Sequence, residues 1–251
     1  MAKVMLVTGG SRGIGAATAR LAATHGYDVA ISYVANKPAA DAVVADIRKA
    51  GRKAVAVQAD TANADDIARL FRSVDDQLGR LDAFFNNAGI LLGPSAKFVD
   101  IPRERLERVL AVNTTGAFLA AQEAVRRLST RLGGRGGAIV NMSSMAAKLG
   151  GSNEATDYGF SKGAIDTLTI GLAKELAGEG IRVNAVRPGL IHTDIHAGIG
   201  DPGRIDRLKS LVPMQRGGRA EEVAEAVLWL CSEQSSYCTG VLLDIAGGRG
   251  L

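Results

Sequence analysis

Short apolar segments alternate with longer segments of helical pattern along this 251-residue chain. Runs such as those at 4–7 and 138–140 predict buried strands. Strands are predicted near 3–8, 28–33, 53–58, 82–85, 137–143, 181–187 and 240–245, and helices near 13–25, 38–50, 63–78, 102–130, 158–177 and 219–231. Elements that alternate in this way favour an α/β fold in which helices cover both faces of a parallel sheet.

We expect one domain over residues 1–251, since no proline-rich linker, low-complexity run or internal repeat interrupts the alternation. The longest irregular connection is predicted at about 190–217. Long loops that carry glycine and proline in a compact domain are usually functional. We therefore expect this segment to be a substrate loop that closes over the bound ligands.

A glycine-rich turn separates the first predicted strand from the first predicted helix. Its glycines let the backbone turn tightly and approach phosphate groups, whose charge then lies at the helix N-terminus. The spacing is G-x-x-x-G-x-G rather than G-x-G-x-x-G, and an ordinary strand-to-helix turn is the alternative interpretation. The predicted dinucleotide contacts of this segment are Gly9, Ser11, Arg12, Gly13, Ile14 and Gly15.

Tyr158 and Lys162 lie four residues apart in a segment that predicts a helix. Residues at this spacing share one helix face, so the ammonium group is expected to stabilise the phenolate and lower the tyrosine pKa from about 10. Such a pair often arises by chance, but this one follows a predicted strand that ends in Ser143 and Ser144. The pair is therefore a candidate acid–base centre.

Asn113 lies on the apolar stripe of the predicted helix 102–130. A buried amide costs free energy unless it is hydrogen-bonded. Two interpretations stay open: a structural asparagine with satisfied hydrogen bonds, and one that holds a water molecule or a helix carbonyl in a proton path. The stripe comprises Leu106, Leu110, Asn113, Ala117, Ala121, Ala124 and Leu128.

Six motifs in one order make the chain resemble the short-chain dehydrogenases/reductases. They are Thr8-Gly9-x-x-x-Gly13-x-Gly15, Asn86-Asn87-Ala88-Gly89, Asn113, Ser144, Tyr158-x-x-x-Lys162 and Pro188-Gly189. The resemblance covers essentially the whole chain, and the chain looks most similar to the group of 3-oxoacyl-carrier-protein reductases and glucose dehydrogenases. It implies a Rossmann fold with a seven-stranded parallel doubly wound sheet in the order 3-2-1-4-5-6-7 and a site at the carboxyl ends of the strands.

The resemblance also implies a catalytic set. Tyr158 looks like the proton donor in carbonyl reduction and the acceptor in alcohol oxidation, and Lys162 like the residue that lowers its pKa and binds the nicotinamide ribose. Ser144 looks like the residue that orients the substrate oxygen, and Asn113 like the support of a water-linked proton relay. Tyr158 follows Ser144 by one position more than in many members. The strand alignment favours Ser144, and Ser143 stays an alternative.

Family position implies further cofactor contacts. Asp60 is expected near the adenine, and the segment that begins at Pro188 is expected at the nicotinamide. Asn87 has a second interpretation, as a residue that only stabilises the strand ends. The complete set outside the glycine segment is Ser32, Asp60, Asn87, Ala88, Gly89, Tyr158, Lys162, Pro188, Gly189, Ile191 and Thr193.

The second predicted strand favours NADP(H) over NAD(H). NAD-preferring sites place a carboxylate about twenty residues beyond the glycines, where it binds the ribose hydroxyls. Here no carboxylate ends the strand, and Asp28 precedes it. Arg12 lies in the glycine loop and Lys37 follows the strand, so a 2′-phosphate would meet positive charge. NAD(H) is kept as the alternative cofactor.

The expected reaction interconverts a carbonyl and a secondary alcohol on a small molecule by hydride transfer, and the polar segment 148–157 favours a polar substrate. The alternatives are a 3-oxoacyl-thioester (carrier-protein) reductase, a sugar or polyol dehydrogenase, and a dinucleotide-binding sensor without catalysis. Carrier-protein reductases of the family place basic residues at two helix ends. The second position here is Glu179, which would repel an acidic partner, whereas the first carries Arg126, Arg127, Arg131 and Arg135.

Other classes of function find little support. The net charge is +4, but no basic run marks a nucleic-acid interface, and no apolar stretch reaches membrane-spanning length. His192 and His196 lack a third ligand pattern, so no metal is expected. The first predicted strand begins near residue 3 and leaves no room for a signal peptide, so we expect a cytoplasmic enzyme. Its cysteines are expected to be free thiols. The resemblance implies a homotetramer that pairs through helices 102–130 and 158–177.

Overall fold

The structure is a computed structural model and describes residues 2–195, 200–201 and 203–251. Its strands form one parallel sheet in the order β3-β2-β1-β4-β5-β6-β7, which confirms the doubly wound topology expected from the sequence. The strands are β1 (Lys3–Val7), β2 (Tyr27–Tyr33), β3 (Ala54–Gln58), β4 (Ala83–Asn86), β5 (Gly137–Met142), β6 (Ile181–Pro188) and β7 (Leu242–Ile245).

Helices cover both faces of this sheet. They are α1 (Gly13–Thr24), α2 (Lys37–Lys49), α3 (Ala64–Gln77), α4 (Arg103–Leu110), α5 (Ala117–Leu128), α6 (Met145–Leu149), α7 (Thr156–Leu176), α8 (Arg204–Leu208) and α9 (Ala220–Cys231). None of the helices described here combines the length and hydropathy needed to cross a membrane.

Alternate residues of one strand enter different cores, because side chains alternate between the faces of a sheet. In β1, Val4 and Leu6 pack in a core with α3, α5 and α7, whereas Met5 and Val7 pack in a second core with α1, α2 and α9. Both faces of the central strands are thus covered, which explains why their sequences are continuously apolar. Burial of each large side chain contributes about 1.5–3 kcal/mol, which makes the strand ends a rigid base for the loops.

The predicted helix 102–130 is interrupted, which corrects the sequence-based prediction. A π-helical segment, Ala111–Gly116, joins α4 to α5. The wider turn lies where Gly116 packs against the backbone of Thr61 so closely that a Cβ atom would overlap the Thr61 carbonyl. In α4 the buried side chain is Val109, whereas Leu106 and Leu110 of the predicted stripe are partly buried.

Two predicted irregular segments contain short helices. In 145–157, the Oγ of Ser144 accepts a hydrogen bond from the Ala146 N–H at 3.1 Å and so caps α6. α7 then begins at Thr156 rather than at 158. The predicted substrate loop 190–217 contains α8.

Candidate active site

The carboxyl ends of the strands surround a cavity of about 470 Å³. Three of the predicted catalytic residues, Ser144, Tyr158 and Lys162, line this cavity, whereas Asn113 lies behind its wall. The predicted cofactor residues also line it: Gly9, Ser11, Arg12, Gly13, Ile14, Gly15, Ser32, Asp60, Asn87, Ala88, Gly89, Pro188, Gly189, Ile191 and Thr193.

The glycine segment needs glycine for two different reasons. Gly13 adopts a φ of +54°, in which any side chain is strained. Gly15 packs against the end of β4, where a Cβ atom would lie 2.6 Å from the Nδ2 atom of Asn87. The first backbone N–H groups of α1 lack intrahelical acceptors. Because the segment is rich in glycine, few side chains block the approach of a ligand to these N–H groups. These residues therefore fit a phosphate-bearing group.

Asn87 connects the ends of β4 and β1. Its Nδ2 donates to the carbonyls of Thr8 at 2.7 Å and Gly9 at 3.1 Å. The Thr8 Oγ1 accepts from the N–H groups of Asn87 and Ala88, both at 3.0 Å. Asn87 thus stabilises the strand ends and lines the cavity as well.

The two cations predicted near β2 differ in their surroundings. Arg12 is exposed at the cavity, and its guanidinium has no hydrogen bond or ion pair with any residue that the structure describes. The Nζ of Lys37, by contrast, donates to both carboxylate oxygens of Asp41, at 2.9 and 2.7 Å. Arg12 is therefore the cation that remains available to an anionic ligand.

Asp28 and Asp60 are both engaged, and of these two carboxylates it is Asp60 that lines the cavity. Asp28 lies within β2 rather than before it, at the amino end of the sheet, and accepts from the Lys53 N–H at 2.8 Å. Asp60 accepts from Arg108 at 2.8 Å and from the Ala62 N–H at 2.9 Å. Burial works to raise the pKa of Asp60, but these hydrogen bonds hold it below its ordinary value. The sequence did not indicate Arg108, because the two partners are 48 positions apart.

Lys162 is buried at the centre of the site, with 2 % of its surface exposed. Its Nζ donates to the Met142 carbonyl at 2.8 Å and lies 5.6 Å from the centroid of the Tyr158 ring. Burial lowers the pKa of Lys162 to about 8, against the opposing effect of the Asp166 carboxylate. Lys162 therefore loses its charge at a pH only slightly above neutrality.

The pKa of Tyr158 departs from the sequence-based prediction. Burial raises it above its ordinary value, and a hydrogen bond with Ser144 opposes this rise only in part. The predicted lowering by Lys162 is wrong for the chain as it stands, because the ammonium group donates to the Met142 carbonyl. The phenol nevertheless borders the cavity, where the side chain is half-buried.

The two serines after β5 have different partners. Ser143 is buried, and its hydroxyl donates to the Lys162 carbonyl at 3.3 Å. Ser144 accepts from the Ala146 N–H and also forms a hydrogen bond with the Tyr158 side chain that acts to lower the tyrosine pKa. Ser144 is therefore the serine that lies beside the tyrosine.

Asn113 forms hydrogen bonds with both the backbone N–H and the backbone carbonyl of Ile90. Its Oδ1 accepts from the Ile90 N–H at 2.8 Å, and its Nδ2 donates to the Ile90 carbonyl at 2.9 Å and to the Ser161 Oγ at 3.1 Å. The buried amide is thus satisfied internally. A Cβ atom at Gly89 would lie 3.2 Å from the Lys162 Nζ and 3.4 Å from the Asn113 Oδ1, so Asn113 is also close to the lysine.

The segment after β6 closes the cavity. The Gly189 N–H donates to the Ile245 carbonyl at 3.0 Å, and Ile191 forms a parallel bridge with Gly218. His192 is exposed, and His196 lies outside the described residues. Within residues 2–195, 200–201 and 203–251, no three His, Cys, Asp or Glu side chains group as metal ligands.

Three charged residues lie at this end of the cavity: Glu154 in the predicted polar segment 148–157, Arg204 in the predicted substrate loop, and Arg249, which the sequence did not indicate. Arg204 of α8 forms an ion pair with Glu154, and Arg249 lies close by, half-buried. All three line the cavity. Arg204 and Glu154 are 50 positions apart, so no local spacing pointed to them.

Comparisons with known proteins cover nearly the whole chain. A family model described as Enoyl-(Acyl carrier protein) reductase matches residues 9–249. The chain is 52% identical over 246 residues to the uncharacterized oxidoreductase YgfF of Escherichia coli (strain K12), which covers 98% of this chain and 99% of that protein. It is 38% identical over 248 residues to the 3-oxoacyl-[acyl-carrier-protein] reductase of Synechocystis sp., with 98% and 96% covered.

A solved structure agrees with these relatives. The short chain dehydrogenase from Burkholderia cenocepacia J2315 in complex with NADP matches with a TM-score of 0.90 and 36% identity, over 99% of this chain and 98% of that one. The likeness therefore extends from the glycine segment to the C-terminal strand. The chain belongs to the short-chain dehydrogenase/reductase family and is an NAD(P)-dependent oxidoreductase.

Proposed function

We propose that this enzyme interconverts a carbonyl and a secondary alcohol with NADP(H), and that Tyr158 is its general acid and base. The observation that carries the proposal is that Tyr158, Ser144 and Lys162 line the same cavity as the glycine segment. We assign this chemistry to residues 1–251 as one catalytic domain, because both sets of residues belong to one cavity.

The chain offers contacts for a dinucleotide along the cavity. The glycine segment fits its phosphates, Ser32 and Asp60 lie at the end towards β2 and β3, and Pro188 and Thr193 lie at the other end. When bound, the nicotinamide supplies a hydride to the substrate carbon in reduction and accepts one in oxidation.

Tyr158 performs the proton transfer. In reduction its hydroxyl donates the proton to the substrate oxygen, and in oxidation the phenolate removes it. Because burial raises the pKa of Tyr158, the phenolate needs a nearby cation, and the Lys162 ammonium beside the ring supplies that charge. Ser144, which bonds with Tyr158, orients the same oxygen and is assigned this role in preference to Ser143. Asn113 positions the Ile90 peptide next to the lysine and supports the proton relay.

NADP(H) is the proposed cofactor because Arg12 is a free cation where a 2′-phosphate would lie. A guanidinium group suits phosphate through its forked donors. The NADP complex of the Burkholderia cenocepacia relative supports the same choice. NAD(H) stays the alternative.

Reduction of a 3-oxoacyl thioester on a carrier protein is the second candidate, because relatives such as the Synechocystis enzyme bear that name. The charges on the corresponding surface are largely balanced. Arg127 bonds with Asp75 and Glu123, Arg126 pairs with Glu123, and Arg131 donates to Glu179 at 2.8 Å. An acidic partner would therefore meet little net positive charge, and we rank this candidate, together with sugar or polyol oxidation, below a broader carbonyl substrate. A non-catalytic sensor is the most remote alternative.

Assembly as a homotetramer is part of the proposal. α5 and α7 expose large apolar side chains, namely Phe118, Phe160 and Ile170. Because relatives of this family pair through the corresponding helices, these exposed side chains support a subunit interface here. Sedimentation at micromolar concentration tests this assembly, and a monomer would contradict it. The cytoplasmic location stays a prediction that fractionation of the source cells can check.

Turnover of a substrate panel by the native enzyme and by Tyr158→Phe tests the reaction. The panel contains diketones, aldehydes, aldoses, polyols and an acetoacetyl thioester, each with NADPH or NADH, or with their oxidised forms. We expect Tyr158→Phe to abolish turnover while NADPH affinity stays nearly the same. Full activity of this variant would contradict the role of Tyr158, and tight cofactor binding without any turnover would favour the sensor.

A further inference from the structure

Among the residues that the structure describes, the substrate end of the cavity contains two arginines, and the carboxylate that acts on them is Glu154. Arg204 is buried, and its guanidinium is bonded to the Glu154 carboxylate. Arg249 is half-buried in the same wall, and its guanidinium has no hydrogen bond or ion pair within the described part of the chain. Asp194, also in the wall, is exposed and does not pair with Arg249. One positive charge is therefore left uncompensated.

Arg249 is held in this position by the segment 246–250. Beside it, the Met214 N–H donates to the Gly247 carbonyl at 3.1 Å, and the Arg249 N–H donates to the Ala246 carbonyl at 3.1 Å. On its other side, a Cβ atom at Gly250 would lie 2.6 Å from Cε of Met145, the first residue of α6. Arg249 thus lies over the helix that Ser144 caps, at the end of the cavity where the reaction takes place.

The surroundings make this cation receptive to an anion. Burial lowers the pKa of Arg249, and the neighbouring Arg204 lowers it further, whereas Glu154 acts in the opposite direction. A partly desolvated charge without a partner is unfavourable, and a bound anion would relieve that cost. The forked donors of a guanidinium match carboxylate and phosphate groups.

We propose that Arg249, beside the Arg204–Glu154 pair, binds an anionic group of the substrate, so that the substrate is an oxo or hydroxy compound with a carboxylate or phosphate. This inference rests on the proposed function and narrows its substrate class. In reduction the carbonyl carbon gains the hydride of NADPH and the oxygen gains the proton of Tyr158. The anionic group itself takes part in no bond change.

Matched substrates that differ only in charge test the inference. Levulinate and its methyl ester, acetoacetate and its ethyl ester, and dihydroxyacetone phosphate and dihydroxyacetone are compared with NADPH. We expect a higher kcat/KM for the charged member of at least one pair, and the pairs distinguish carboxylate from phosphate. Arg249→Gln should reduce that kcat/KM by roughly 10- to 100-fold, the loss expected for a charge-assisted hydrogen bond.

The controls separate substrate binding from other effects. Arg249→Gln should leave the neutral members within about threefold and the NADPH affinity unchanged, since Arg249 lies away from the glycine segment. Arg249→Lys should retain part of the preference for the charged substrate, because it keeps the positive charge but loses the forked donors of the guanidinium. Arg72→Gln removes an exposed arginine outside the cavity, and it should change neither member of a pair.

Calorimetry provides a reading that does not depend on turnover. Levulinate and its methyl ester are titrated into the NADP⁺-bound enzyme and its Arg249→Gln variant, since a ketone and NADP⁺ have no hydride to transfer and cannot react. Equal binding and equal rates for charged and neutral members with the native enzyme would overturn the inference, as would an equal loss for both in Arg249→Gln. A difference in binding without turnover would contradict the proposed function and leave the anion site supported.

Discussion

Asp166 lies one helical turn beyond Lys162 on α7, and its carboxylate bonds with Arg187 rather than with the lysine. The Asp166 Oδ2 accepts from the Nε and Nη2 of Arg187 at 3.0 and 2.7 Å. Its Oδ1 is buried and has no partner among the residues described. Asp166 therefore acts on Lys162 through charge alone, in the direction that keeps the lysine protonated.

Asp166→Asn should move the pH profile of the enzyme. Without this charge the pKa of Lys162 falls further below its value of about 8, so the decline of kcat with rising pH should shift by up to about one unit to lower pH. The matched control is Asp244→Asn, whose carboxylate lies 3.5 Å from Arg187 but is not among the groups that shift the pKa of Lys162. A shift of equal size in the control would assign the effect to Arg187.

Lys162 also gives stability a pH dependence with a definite sign. Its pKa falls from 10.5 to about 8 on folding, so between these values the unfolded chain binds more protons and stability rises with pH. Between about pH 7 and pH 9.5, the free energy of unfolding of the native enzyme should rise by about 2 kcal/mol more than that of Lys162→Met. Urea unfolding of both proteins measures this. Subtracting the variant from the native enzyme cancels the contributions of Cys231 and Tyr27. Their pKa values rise to about 12 on burial, so these two groups make stability fall as the pH rises.

Arg12→Gln should weaken NADPH binding selectively. The variant loses one charge-assisted hydrogen bond to the 2′-phosphate, which corresponds to roughly a 10- to 100-fold higher Kd. The Kd for NADH should change less than about twofold, and fluorescence titration measures both. An equal loss for the two cofactors would place Arg12 at a phosphate that they share.

Gly15→Ala should damage the cofactor site. The added Cβ atom would lie 2.6 Å from the Asn87 Nδ2, and we expect a loss of about 1–3 kcal/mol in stability together with weaker NADPH binding. Gly178→Ala is the matched control, since nothing lies within 4 Å of its added Cβ atom. Thermal unfolding with and without NADPH compares the two, and an undamaged Gly15→Ala would show that the Gly9 carbonyl and the Asn87 side chain can both move aside.

The sequence was sufficient for the sheet and for most of the cavity wall, because those features follow from local patterns. Apolar runs mark the strands, and glycine spacing marks the loop after β1. The helical spacing did not predict the break at 111–116, which lies where Gly116 packs against Thr61, a contact between distant segments that no local pattern encodes. The same holds for the Arg204–Glu154 pair.

The direction of the Tyr158 pKa shift is a second property that the sequence did not predict correctly. The spacing of Tyr158 and Lys162 correctly placed both side chains in one site. It could not show how deeply each side chain is buried or that the Lys162 ammonium binds the Met142 carbonyl, and these facts set the direction of both pKa values. Charges in a folded site depend on burial, which a spacing does not encode.

The cavity draws its two ends from separate stretches of the chain. The glycine segment, Arg12 and Asp60 come from the first three strands and their loops, whereas Ser144 and Arg249 come from beyond β5. One crossover in the gene between the codons of Asp60 and Asn87 would exchange the substrate end and keep the nucleotide end. Recombination between relatives can therefore create new pairings of cofactor and substrate, provided that the Asn87 bonds to Thr8 re-form across the junction.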